Sequence, residues 1–211
     1  LMRRPGAAWL APGVAWLLVG LAVLSPLLWV GWLPMGHPEQ WPQPGAAMVL
    51  RPPQGWQQSP WVWWSAAWVH GSAQHWLFNA LGVMLVSGIG AWLRMPTSLA
   101  VVWFLSWPLG HACLLLDPRL SFYMGASGVL HAGVAVMVVG IWQAGQRRLA
   151  GAMLLALTLK VGHEVWVGWP AGATLVREGV DVPVAWLAHV GGALSGLFLA
   201  GIHGASRRHT P

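Results

Sequence analysis

The residues best suited to chemistry in this sequence are a serine, two histidines and an asparagine. Ser127 lies in the small-residue stretch Gly-Ala-Ser-Gly, residues 125–128, and His189 precedes a pair of glycines. A serine hydroxyl is a weak nucleophile until a base takes its proton, and an imidazole is the commonest such base. We therefore expect His189 to activate Ser127.

A reaction by this pair needs hydrogen-bond donors for the negative charge that develops on the substrate oxygen. His75 and Asn79 are four residues apart, so they would share one face of a helix. Together with the backbone N–H of Ser127 they could form an oxyanion hole, in which losing one donor costs about 10² to 10³ in rate. No buried aspartate is expected near His189 in the sequence, which favours a Ser-His dyad over a triad.

Three other polar residues offer alternative roles. His131 lies one turn after Ser127 and could compete as the base, but its place on the nucleophile's own helix favours a structural hydrogen bond. Glu164 could bind a polar group of the substrate or close a hydrogen-bond network. His163 and Glu164 begin a His-Glu-x-x-His pattern that fails because position 167 is Val167. We therefore predict no metal site and no cofactor.

The composition places these residues in a membrane. Of 211 residues, 56% are hydrophobic and only 8% are charged, whereas soluble domains carry about 25% charged residues. Eighteen tryptophans against one tyrosine fit anchoring at membrane interfaces. The basic residues are scattered in short pairs without a stripe, so we expect no nucleic-acid partner. Cys113 is the single cysteine and excludes an internal disulfide.

Six segments are long and apolar enough to cross a bilayer, which takes about 20 residues per helix. We therefore predict an all-α polytopic membrane protein with one domain over residues 1–211 and a bundle of six helices. The predicted spans are about 9–32, 73–93, 98–116, 126–143, 149–168 and 184–203, and the predicted loop after the first span is 33–60.

The arginines predict the orientation of this bundle. Six spans put both termini on one side, together with seven arginines against three on the other side, so we expect cytoplasmic termini. The serine, the two histidines and the asparagine then lie at similar depth below the periplasmic face, where buried polar groups are functional candidates. The seven are Arg3, Arg4, Arg94, Arg147, Arg148, Arg207 and Arg208, and the three are Arg51, Arg119 and Arg177.

Glycines explain how the polar groups could meet. Gly125 allows a sharp turn before the fourth span. Gly128 and Ala132, like Gly192 and Gly196, are small residues four apart, a spacing that lets membrane helices approach closely. Close packing of the fourth and sixth spans would bring the histidine of the last helix toward the serine.

Three motifs in this order resemble the rhomboid family of intramembrane serine proteases. They are "GASG" at the start of a membrane helix, "HWLFN" two helices earlier, and "AHVGGALSG" in the last helix. The resemblance covers residues about 61 to 203. It implies a six-helix rhomboid-like fold, with Ser127 as the nucleophile and His189 as the general base.

The same resemblance assigns the supporting residues. It implies that His75 and Asn79 are oxyanion donors, and His70 corresponds to an outer histidine of the family pattern. Gly125, Gly128 and Glu164 are further candidates for supporting the site.

A narrower match points to the rhombosortase subfamily. The stretches "YMGASGVLHAG", "LKVGHEVWVG" and "VDVPVAWLAH" look like that subfamily. The resemblance implies a bacterial inner membrane, a lipid bilayer around the protein, and protein substrates that carry a C-terminal transmembrane anchor with a Gly-Gly motif. The alternatives are an inactive rhomboid-like binder or chaperone of transmembrane helices, and a transporter with a histidine proton relay.

Overall fold

The architecture is a bundle of long helices. The computed structural model describes residues 11–30, 41–117, 119–169 and 185–206. Within these residues every regular secondary-structure element is a helix. The all-α prediction is confirmed. The long helices are α1 Val14–Val30, α2 Ala73–Trp92, α3 Thr97–Ala112, α4 Ser127–Gln143, α5 Arg147–Gly168 and α6 Trp186–Ser206.

The outer surface of the bundle fits a membrane. Four helices are long and apolar enough to cross one: α2, α5, α6, and α3 with its 3-10 continuation to Leu116; α1 and α4 are shorter and apolar. Large apolar side chains point outward, among them Leu85 and Leu159, each 63% exposed. Such side chains suit contact with lipid rather than water.

The segment between α1 and α2 packs onto one end of the bundle. The sequence predicts a polar loop over 33–60, of which 33–40 lie outside the described residues. From residue 41 onward its apolar side chains, such as Trp41 and Met48, are buried against Met124. The short helices in this region are Gly45–Met48, Val62–Ser65 and the 3-10 helices Pro52–Gln57 and Ala66–Trp68.

α4 lies at the centre and contacts α2, α3, α5 and α6. Its surface is buried on several sides because it carries small residues where neighbours approach. The indole of Trp103 on α3 donates to the Val129 carbonyl at 2.9 Å, and Trp16 of α1 stacks on that indole at 5.2 Å. These contacts connect α1 and α3 to the helix that begins at Ser127.

α5 lies at the edge of the bundle. Its few buried residues include Ala150, Leu157 and Glu164, which are seven residues apart and form one stripe, and Gly168 at its end. Most of its other residues are exposed. A carboxylate on the buried stripe of such a helix must point at a polar neighbour, since an unpaired charge in a membrane interior is costly.

Half of the arginines behind the predicted orientation lie outside the described residues, and the orientation stays a prediction. These residues are Arg3, Arg4, Arg177, Arg207 and Arg208.

Candidate active site

Ser127 is the first residue of α4 and follows a turn that the backbone holds in place. Gly125 has φ +117°, a conformation that favours glycine, and its N–H donates to the Ala66 carbonyl at 2.8 Å. Tyr123 pairs with Leu50 through two backbone hydrogen bonds of 2.7 and 3.1 Å, and its hydroxyl donates to the Gly125 carbonyl at 2.8 Å. The turn therefore fixes where the serine emerges.

Glycines let α6 touch the backbone of α4. A Cβ at Gly192 would collide with the Gly128 carbonyl, and one at Gly196 would lie 2.5 Å from the Ala132 carbonyl. The two helices thus meet without intervening side chains, as the small-residue spacing predicts.

This contact brings the sequence-predicted serine and histidine together. His189, on the first turn of α6, places Nε2 2.9 Å from Ser127 Oγ, which is hydrogen-bonding distance. The histidine is 4% exposed, whereas the serine is partly exposed. The nucleophile candidate is thus accessible and its base candidate is enclosed.

A carboxylate from α5 occupies the other side of the histidine. Glu164 Oε2 lies 2.6 Å from His189 Nδ1, and the glutamate is 3% exposed. Lys160, one turn earlier, places Nζ 3.0 and 3.1 Å from the two carboxylate oxygens. Of the two roles that the sequence leaves open for Glu164, the observed contacts match the closing of a network.

His131 does not approach the serine hydroxyl. Its Nδ1 lies 2.6 Å from the main-chain carbonyl oxygen of Ser127, as expected for a structural hydrogen bond. Its Nε2 lies 2.6 Å from Lys160 Nζ, and its ring stacks on His189 at 4.1 Å between centroids and 15° between planes. The stacking fixes the plane of the second imidazole.

Five hydrogen bonds form a closed circuit through these residues. A carbonyl and a carboxylate only accept, so His131 Nδ1–H donates to the Ser127 carbonyl and His189 Nδ1–H donates to Glu164. The ammonium of Lys160 donates to the carboxylate and to His131 Nε2. With neutral imidazoles, His189 Nε2 is left to accept the proton of Ser127 Oγ.

His75 and Asn79 lie on the other side of the turn. Ser72 caps α2 by accepting from the His75 N–H at 3.1 Å, which places both side chains on the first turns of that helix. The His75 ring packs on the Gly125 backbone, where a Cβ would lie 2.6 Å from it and 3.6 Å from Asn79 Nδ2. Asn79 is 5% exposed, and its Nδ2 has no hydrogen-bond partner within the described part of the chain.

His70 lies behind His75 and away from the serine circuit. It is fully buried, its ring is 4.7 Å from that of His75, and its burial lowers its pKa to about 3. The ring is therefore neutral at pH 7 and serves as a packing partner for His75.

Three residues of the circuit are of the types that commonly bind metal ions. Ligand atoms of His131, Glu164 and His189 lie within 4.8 Å of one another. Lys160 Nζ is within 3.1 Å of an atom of each, so an ammonium already occupies the position that a cation would take.

Sequence reasoning missed the contact of Glu164 with His189 and gave no role to Lys160. The signal was present, because Lys160 and Glu164 are four residues apart on a membrane helix and so form a pair on one face. It also missed Tyr123, whose hydroxyl holds the turn by donating to the Gly125 carbonyl. Burial raises the pKa of Tyr123 to about 12, so the hydroxyl keeps its proton.

Comparison with known proteins identifies the family of this chain. The model of the rhomboid domain matches residues 57–206, and no curated protein matches the sequence significantly. Rhomboid proteins are intramembrane serine proteases that act on membrane helices within the bilayer. With a match over most of its length and several helices able to cross a membrane, the chain is a multi-pass membrane protein that belongs to the rhomboid family.

Proposed function

We propose that the protein is a serine endopeptidase that cleaves a C-terminal Gly-Gly-type membrane anchor from secreted substrates, as in the rhombosortase subfamily. The observation that carries the proposal is the 2.9 Å distance between Ser127 Oγ and His189 Nε2. A hydroxyl whose proton is already directed at a neutral imidazole is prepared for attack on a carbonyl carbon.

Acylation follows from this geometry. Ser127 Oγ attacks the carbonyl carbon of the scissile bond while its proton passes to His189 Nε2. The tetrahedral intermediate then collapses, the C–N bond breaks, and His189 returns the proton to the leaving amine. The serine is left as an ester of the substrate's new C-terminus.

Asn79 supports the oxyanion role because its buried Nδ2 has no partner in the described residues. An unpaired buried donor is costly unless a ligand satisfies it, and a developing oxyanion would do so. The first N–H groups of α4, starting with Ser127, have no partner within the helix and add donors at the same place. His75, against the Gly125 backbone, lines the same pocket.

Water completes the reaction. A water molecule attacks the ester carbon, gives its proton to His189, and the serine oxygen leaves with that proton. Ser127 is partly exposed at the end of the bundle, which supports access from the aqueous side. We place that side in the periplasm of a bacterial inner membrane, with both termini in the cytoplasm, following the arginine distribution.

A Gly-Gly segment suits such a site physically. Glycine lowers helix stability by about 1 kcal/mol relative to alanine, so a substrate helix unwinds most readily there. It also carries no side chain, which leaves the carbonyl open to attack.

The test is an assay in detergent or proteoliposomes with a reporter protein that ends in Gly-Gly, an apolar helix and arginines. We expect Ser127→Ala and His189→Ala to lower the cleavage rate at least about 10³-fold. Matched controls are Ser121→Ala and His163→Ala at exposed positions, which should cleave at the wild-type rate.

A serine-directed fluorophosphonate probe adds a readout that needs no substrate. Labelling of the wild type but not of Ser127→Ala would support the protease. Undiminished cleavage by Ser127→Ala would contradict the assignment, and a wild type that neither cleaves nor labels would favour the inactive binder of membrane helices.

A further inference from the structure

We propose that Glu164 is a positioning residue for His189, so that the site works as a Ser-His-Glu system supported by Lys160 rather than as a dyad. The inference rests on the proposed function of the same site. The inference concerns how the base is held, and its test distinguishes a failure of this inference from a failure of the proposed function.

The geometry of Glu164 is that of a carboxylate that orients a histidine. Its Oε2 lies 2.6 Å from His189 Nδ1, the nitrogen opposite to the one that faces Ser127 Oγ at 2.9 Å. Both partners are at least nine-tenths buried, so the bond is shielded from competing water. A carboxylate there keeps the proton on Nδ1 and leaves Nε2 free to accept, which is the tautomer that the reaction needs.

Lys160 explains how a glutamate can remain ionised at this depth. Its Nζ lies 3.0 and 3.1 Å from the two carboxylate oxygens and 2.6 Å from His131 Nε2. The lysine side chain is 45% exposed and the glutamate is 3% exposed, so the ammonium covers the carboxylate from outside. The pair carries no net charge, which makes its presence in the membrane region less costly.

The same lysine makes the glutamate necessary. Lys160 Nζ is 3.1 Å from His189 Nδ1, and His189 becomes a cation when it takes the serine proton. Without Glu164, two positive charges would face each other in a buried site. With Glu164 between them, the carboxylate contacts both cations and stabilises the imidazolium.

A structural alternative gives Glu164 a lesser role, namely to neutralise Lys160 and hold α5 to the bundle. In that case removing both charges together should restore the enzyme. If Glu164 orients His189, removing both charges should leave the enzyme impaired, since the orienting acceptor is still missing. The double variant Lys160→Met with Glu164→Gln therefore decides between the two roles.

The experiment compares the cleavage kinetics of purified Glu164→Gln, Glu164→Asp, Lys160→Met and the double variant in one detergent. We expect Glu164→Gln to lower kcat by about 10² to 10⁴ with KM within about threefold, because an amide can hold the wrong tautomer. Glu164→Asp should recover part of kcat, and Lys160→Met should stay well above Glu164→Gln. The double variant should regain part of kcat, because the repulsion between Lys160 and the imidazolium is relieved, but it should stay at least about tenfold below the wild type, since it lacks the acceptor that orients His189.

Three controls make the result unambiguous. His163→Gln alters an exposed neighbour on the same helix and should be fully active. Thermal unfolding in detergent should show folded Glu164 variants. The rate of labelling by a fluorophosphonate should fall in Glu164→Gln in parallel with kcat, because labelling depends on the nucleophile and not on substrate binding.

Two outcomes would overturn the inference while leaving the proposed function intact. One is a Glu164→Gln enzyme with wild-type kcat and labelling rate beside an inactive Ser127→Ala. The other is recovery of wild-type kcat in the double variant. Retained cleavage by Ser127→Ala would instead overturn the proposed function itself.

Discussion

The helices α5 and α6 supply side chains to the same site but are attached to the bundle in different ways. α6 buries ten of its 21 residues, and its Gly192 and Gly196 rest on the backbone of α4. α5 buries four of its 22 residues and reaches the site through the polar bonds of Lys160 and Glu164. The Ser127–His189 pair therefore depends on backbone packing, whereas its carboxylate depends on side-chain contacts of a peripheral helix.

The two attachments therefore control different parts of the site: α6 sets the distance between Ser127 and His189, and α5 sets the position of Glu164. A displacement of α5 would remove Glu164 and leave Ser127 and His189 in contact. A displacement of α6 would separate the two reacting groups. Substitutions at matched positions on the two helices should therefore differ in effect by orders of magnitude.

The largest effect is expected for Gly192→Ala on α6. The added Cβ would collide with the Gly128 carbonyl, so α6 must move away from α4 and His189 away from Ser127. We expect cleavage to fall at least about 10³-fold, as for loss of the base, together with a lower unfolding temperature from overpacking. Cleavage assays and thermal unfolding in detergent measure both.

Gly201→Ala is the matched control on the same helix, because a Cβ there meets nothing within 4 Å. It should unfold and cleave like the wild type. A fully active Gly192→Ala enzyme would contradict the view that backbone contact between α4 and α6 sets the distance between the reacting groups.

A smaller effect is expected for Gly168→Ala at the end of α5. Its Cβ would collide with the indole of Trp186, so the end of α5, one turn beyond Glu164, must shift. We expect kcat to fall about tenfold, less than when the carboxylate is removed.

The double variant of Gly168→Ala with Glu164→Gln tests whether the effect passes through the carboxylate. If it does, Gly168→Ala should cause no further loss once Glu164 is replaced. A full additional tenfold loss in that background would show that Gly168 acts by another route.

The smallest effect on activity is expected for Leu157→Ala, two turns before Glu164 on the same stripe. Leu157 is 9% exposed and packs with Ala135 and Ala193. We expect a loss of about 2 kcal/mol in stability, the lower end of the range for buried leucines, and kcat close to that of the wild type. Leu159→Ala, at a lipid-facing position, should change stability by less than about 0.5 kcal/mol.

Chemical unfolding in detergent micelles gives these stabilities. If Leu157→Ala instead lowered kcat as strongly as Gly192→Ala, packing of α5 would matter for the reacting groups as much as packing of α6, which would contradict the comparison.

The sequence predicts the helices well because membrane spans have a strong signal in length and apolar composition. It also brings Ser127, His189, His75 and Asn79 into consideration together, since a small-residue spacing and a shared depth follow from sequence alone. Those predictions needed no knowledge of how any helix is rotated.

The partner of His189 could not be predicted in the same way. The sequence neighbours of His189 do not supply the carboxylate, since Glu164 comes from another helix and meets the imidazole only because of the rotation of α5. The apolar pattern of α5 is too uniform to define that rotation, and the spacing of Lys160 and Glu164 shows only that the two side chains share one face of the helix. The hydrogen bonds that hold the Gly125 turn, with Ala66 and Tyr123, could not be predicted either. The Ala66 bond, and the pairing of Tyr123 with Leu50, join segments that are far apart in the chain.

The closed circuit through Ser127 has a consequence for the second half of the proposed reaction. The serine takes part twice, through its hydroxyl toward His189 and through its carbonyl toward His131. Once the hydroxyl is esterified, only its hydrogen bond to His189 is lost, while the other four hydrogen bonds still join the imidazole to the main chain of Ser127 by way of α5. The base therefore keeps its position beside the ester when water arrives, and no rearrangement is needed between the two half-reactions.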